Sequence, residues 1–172
     1  MPNPELDAMI EATSMGGFWR TEQQRQELDR LLDTFLETWD QRRNAPDSPK
    51  RRLRPLDKAT LLATLARKRD EDRGFRTTRA AAFMQAVASG FTMDFLVMTW
   101  LLVFGDAHVD SIDFAYRHEA TFEMTVVLRW DDDARITFAS NDVYDVAALR
   151  HMGILKIGHR PVLDGFSAML LG

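Results

Sequence analysis

Between Ile112 and Phe138 the chain alternates apolar and polar residues with a period of two, in three successive runs. Ile112, Phe114 and Tyr116 share one side, Phe122, Met124, Val126, Leu128 and Trp130 follow, and Ile136 and Phe138 close the series. Such alternation turns one face of a strand to a core and the other to water, so the runs predict a three-stranded antiparallel meander with one dry face. Asp131, Asp132 and Asp133 stand where the second strand must reverse into the third, and aspartate is a favoured turn residue.

Upstream the apolar spacing changes to three and four. Leu28, Leu31, Leu32, Phe35, Leu36 and Trp39 form one stripe, and Thr21 with Gln24 has the spacing of a capping box, which predicts a helix from Thr21 to about Arg43. A short helix over 5–14, ended by Gly16 and Gly17, is expected before it. Prolines 46, 49 and 55 lie in 44–55, which reads as a solvated basic linker. A second amphipathic helix is expected over about 56–72, with Leu61, Leu62 and Leu65 on its apolar side and Gly74 as its stop. Thr77 or Thr78 caps an alanine-rich helix that reaches Ser89, and Gly90 separates it from 91–104.

The segment 91–104 is apolar apart from Thr92, Asp94 and Thr99, and a helix apolar all round lies in a core or in lipid. Joined to its predecessor it would run over 80–104, long enough for a bilayer, with Arg73, Arg76 and Arg79 as a flank. Gln85, Ser89, Gly90 and Asp94 fall near the middle of that span, and an acidic group there costs roughly 2.5 to 3.5 kcal/mol. A one-faced sheet also needs a cover, so the buried reading is preferred, with Thr92 as N-cap and Asp94 in the first turn.

After the meander, Ser140, Asn141 and Asp142 read as the cap of a helix over about 143–152. Ile157 to Arg160 then read as a tight hairpin turn that sets Leu155 opposite Val162. The expected fold is a single α+β domain over 1–172. Residues 1–104 are mainly helical and pack on one face of the meander, and 105–172 hold the meander, a helix and a C-terminal β-hairpin.

Composition narrows the chemistry. In 172 residues there is no cysteine, which excludes disulfides, thiolate metal sites and a cysteine nucleophile, and fits a cytoplasmic location. The first thirty residues lack the basic start and apolar run of a secretory signal. The net charge of −4 conceals a segregation. Residues 1–41 carry 3 basic and 9 acidic side chains, residues 42–79 carry 13 and 5, and residues 80–172 carry 6 and 12. A basic belt between acidic ends faces an acidic partner such as nucleic acid, or is neutralised by its own neighbours.

Candidate chemistry is sparse. His108 and Asp110, spaced to share a side of a strand, are the weak candidate for a metal pair. The Asp131 to Asp133 run lacks the spaced ligands and central glycine of a calcium loop. Asp113 and Glu123 are the paired carboxylates available on the outer face of the meander, where cross-strand ion pairs are the simpler reading. His118 follows the His108 and Asp110 pair. His151 and His159 are candidate bases that fall in the expected short helix and turn tip, where a structural or solvent-facing role is the simpler reading. Ser111, Ser140 and Ser167 lie outside any nucleophile elbow, and no phosphate-cradling glycine loop is present.

The leading reading is therefore a non-catalytic protein-interaction module without a cofactor. Trp39, Phe35, Phe166 and Met169 are its contact residues, and a protein partner or a second copy is the expected occupant. The first alternative is nucleic-acid association through Arg42, Arg43, Lys50, Arg51, Arg52 and Arg54. The second is a small metal-dependent hydrolase using His108 and Asp110, with His118 as a further candidate. Membrane association is not expected.

Overall fold

Thr21 accepts a hydrogen bond from the Gln24 amide at 3.1 Å, while the Gln24 side chain accepts one from the Thr21 amide at 3.0 Å, so both halves of the capping box form. They open α1 (Glu22–Arg43) in a computed structural model that describes residues 4, 6, 7, 20–75, 78–117 and 121–142. The expected opening helix lies largely outside the described residues, although Leu6 is buried and Asp7 pairs with Arg25 at 3.0 Å. The expected helix over 143–152 and the terminal hairpin lie wholly outside them.

The fold is α+β: among the described residues, four helices precede a three-stranded antiparallel sheet. The chain divides into two compact units, residues 1–106 and 107–172.

In the first unit α2 (Lys58–Glu71) begins two residues later than the pattern of leucines suggests, because Asp57 accepts from the Thr60 amide at 2.7 Å and caps the helix there. Gly74, at φ +95°, takes the left-handed turn that separates α2 from α3 (Arg79–Ala88), whose cap is Thr78. Gly90 at φ +79° ends that helix in turn, and Thr92 caps α4 (Met93–Phe104) with Asp94 in the first turn. The break at Ser89 to Thr92 removes the long 80–104 span. No helix among the described residues is long and apolar enough to cross a membrane.

The centre of this unit is α4, which packs against α1 and α3, while α3 packs against α2. Every residue from Phe95 to Leu101 is buried, Thr99 included, and the Thr99 hydroxyl donates to the Phe95 carbonyl at 2.7 Å instead of remaining unpaired. Phe35 and Trp39 of α1, Phe83 of α3 and Trp100 and Phe104 of α4 interlock, with Phe83 and Trp100 edge to face at 5.1 Å between centroids and Trp100 and Phe104 at 4.6 Å. Tilted and edge-on pairs are the preferred aromatic geometry, worth about 0.5–1.5 kcal/mol each beyond burial.

In the second unit β1 (His108–Arg117), β2 (Thr121–Arg129) and β3 (Arg135–Ser140) pair in sequence order. Ile112 lies opposite Val126, Val126 opposite Phe138, and Leu128 opposite Ile136; all five are buried, as are Met124 and Trp130. A bulge shifts the register between Val109 and Ser111, with Asp110 as the extra residue. The Asp131 to Asp133 turn is the tip joining β2 to β3, closed by the Asp133 amide on the Trp130 carbonyl at 3.0 Å, with Asp133 in the left-handed region at φ +64°.

Candidate functional site

The basic belt of 42–79 separates into two halves with different electrostatics. In the second half, carboxylates meet the cations: Arg67 and Lys68 pair with Glu71 at 3.5 and 3.2 Å, and Arg69 and Arg73 pair with Asp70 at 2.9 and 3.7 Å. Arg79 grips Asp72 through its Nη2 at 2.8 Å and its Nε at 3.0 and 3.1 Å, and its backbone amide donates to the same carboxylate at 2.8 Å. Asp72 is only 7% exposed, and these hydrogen bonds from Arg79 hold its carboxyl below the usual range. The Lys68 ammonium likewise lowers Glu71. Each of these five cations thus contacts a carboxylate, the five sharing Asp70, Glu71 and Asp72, and Arg76 lies outside the described residues.

The first half lies in the connection from α1 to α2. Its backbone is a run of turns and not an unstructured linker. Ala45 donates to the Arg42 carbonyl, Ser48 to Ala45, and both Arg52 and Leu53 to Pro49, the last two at 2.8 and 3.1 Å. Pro46 stands at the second position of the Ala45 to Ser48 turn, where its preset φ is favoured. Two contacts fix the loop to the helical core: Leu53 is fully buried, and the indole Nε1 of Trp39 donates to the Arg54 carbonyl oxygen at 2.8 Å.

Those anchors leave Lys50, Arg51 and Arg54 exposed, and among the described residues no carboxylate pairs with any of the three. Arg42, Arg43 and Arg52 are half-buried beside them. Residues 42–54 contain six cations against the single acid Asp47. The next cation, Lys58, is engaged elsewhere: its ammonium lies 2.7 Å from Asp29 and 2.6 Å from Asp33, which ties α2 to α1. Burial pulls the Lys58 pKa down, but the two carboxylates outweigh it and the net shift is upward.

Phe35 and Trp39, read from sequence as contact residues, are 0% and 4% exposed. The stripe that marks a helical interface also marks a core, and here α3 and α4 cover it within the chain. Phe166 and Met169 lie outside the described residues. Among the described residues, Phe75 is the large apolar side chain left exposed, at 70%.

In the second unit, Asp110 of the bulge turns its carboxylate towards Arg129 at 3.4 Å and Arg135 at 3.9 Å. Arg129 and Arg135 lie directly opposite each other in the register, so Asp110 offsets a like-charge cross-strand pair. No group of three or more His, Asp or Glu among the described residues is placed to hold a metal ion. Asp113 pairs in register with Thr125, and Glu123 with Ala115, which sets these two carboxylates on a diagonal. His118, His151 and His159 lie outside the described residues.

The sequence reading missed the two loop anchors and the Asp72 to Arg79 grip. Leu53 did carry a signal, as the lone apolar residue among four basic ones in 50–54. Trp39 to Arg54 and Asp72 to Arg79 are contacts between different elements and leave no periodic trace. No protein-family model, curated protein or solved structure gives a significant match to this chain.

Proposed function

We propose that this chain is a binding module that takes an anionic macromolecule on the loop joining α1 to α2. The observation that carries this reading is the contrast within one belt: among the described residues each cation of 67–79 contacts a carboxylate, whereas Lys50, Arg51 and Arg54 project from an anchored loop and contact none. Unmatched surface charge destabilises a fold slightly through self-repulsion, and a partner of opposite charge removes that cost. An anchored loop also loses less conformational freedom on binding than a free linker does.

Retention on a cation exchanger at pH 7 tests the reading, since a chain of net charge −4 is held there only by a local basic surface. The full chain is expected to bind at low salt, and the triple variant Lys50→Ala, Arg51→Ala, Arg54→Ala is expected to flow through. Flow-through of the unaltered chain at low salt would remove the proposal.

A further inference from the structure

We infer that the partner of this loop is the phosphodiester backbone of a double-stranded nucleic acid, contacted without reading its bases; the inference rests on the anion-binding reading above and specifies its ligand. Three observations select this partner among anionic macromolecules.

The first is the apolar content of the surface. Protein interfaces concentrate their energy in buried aromatic and aliphatic anchors, with charged residues depleted at the centre. The loop has the opposite make-up. Of its two large apolar side chains, Leu53 is fully buried in the chain's own core and Leu56 is half-buried, and the exposed positions are Lys50, Arg51 and Arg54 with Asn44, Pro46, Asp47, Pro55 and Asp57. Contact with a phosphate backbone needs positive charge alone.

The second is the lack of an aromatic residue anywhere in 42–54. Single-strand binders stack bases on aromatic rings, so a loop without them tracks phosphates and favours a duplex, in which the charge density is higher. The third is chemical. Of the six cations in 42–54 five are arginine, whose planar fork donates two parallel hydrogen bonds to a phosphate.

The surroundings also limit the contact. Glu37 and Asp40 are exposed on the last turns of α1, and phosphates repelled by them are confined to the loop. Counting the three exposed cations gives a slope of log affinity against log salt of about −2.7, at about −0.9 per neutralised phosphate, so affinity drops about 40-fold between about 50 and 200 mM salt.

Fluorescence anisotropy of the full chain with a labelled duplex of about 20 base pairs, in DNA and RNA versions, and with labelled polyglutamate of matched charge tests this. Binding to either duplex with that slope supports the inference, and the tighter of the two identifies the source of the phosphodiester. Each single change Lys50→Ala, Arg51→Ala or Arg54→Ala is expected to reduce the slope by about 1, equally for unrelated base sequences, while Arg67→Ala leaves it unchanged. A circular dichroism melt of each variant confirms that the helices remain formed. Polyglutamate bound as tightly as the duplexes overturns the nucleic-acid assignment and leaves the anion-binding reading standing. No binding to any of the three overturns both.

Discussion

The indole Nε1 of Trp39 donates to the carbonyl oxygen of Arg54 at 2.8 Å, across fifteen residues of chain. The ring of Trp39 meanwhile packs against Phe35 and Trp100 in the aromatic core. One side chain thus joins the helical core to the loop that carries the exposed cations. Its two ends have separate roles, as is usual for a buried tryptophan with one polar atom.

Trp39→Phe separates these roles, since a phenyl ring keeps most of the packing and has no N–H. The Arg54 carbonyl loses its donor, and stability to urea is expected to fall by about 1 kcal/mol, with further loss if the smaller ring leaves a cavity. Limited proteolysis is expected to cut the 44–55 loop faster in the variant than in the unaltered chain. Equal cutting rates would show that Leu53 alone holds the loop.

Phe83 touches Phe35, Trp100 and Phe104, and is fully buried. Phe83→Ala is expected to cost about 3–5 kcal/mol through lost burial and a residual cavity. Phe75→Ala, at an exposed tip, is expected to stay within about 0.5 kcal/mol. Chemical denaturation of the two variants side by side checks the contrast.

Asp72 connects pH to stability. Its carboxyl is held down by the Arg79 side chain and amide, so the folded state binds its proton less readily than the unfolded state does. The stabilisation is complete above the unfolded value near 3.8 and disappears as pH falls through the lower folded value. Asp72→Asn is expected to cost about 1–3 kcal/mol near neutrality and to flatten the acid limb of a plot of melting temperature against pH. An acid limb unchanged in the variant would assign it to other carboxyls.

Asp133 occupies the left-handed region at the tip between β2 and β3. A β-branched residue there is expected to cost about 1–2 kcal/mol, whereas glycine carries no such penalty. Asp133→Val should therefore melt well below Asp133→Gly. Both variants lose the exposed ion pair to Arg129 at 3.2 Å, so their difference isolates the backbone.

Much of the architecture was written in local patterns. The Thr21 to Gln24 box, the cap at Thr92 with Asp94 behind it, and the stops at Gly74 and Gly90 all concern groups within four residues of each other, and each formed as its spacing predicted. The alternation from Ile112 to Phe138 also foretold the pairing, because a one-residue slip would turn every apolar side chain in a strand to the wrong face. Only the bulge at Asp110 escaped, since one extra residue leaves little mark on a period of two.

What tertiary structure decided was which features were already satisfied within the chain. Phe35 and Trp39 lie on a stripe that fits a core or an interface equally well, and only the packing of α1 with α3 and α4 assigned them to the core. The basic belt likewise reads as one block in sequence, because net charge sums over distance while Coulomb attraction acts between particular groups a few ångströms apart. The packing of α2 with α3 brought Asp72 to Arg79, and the anchors at Leu53 and Trp39 left Lys50, Arg51 and Arg54 exposed on the loop. Periodicity determined the elements; their side-chain contacts determined which charges remained for a partner.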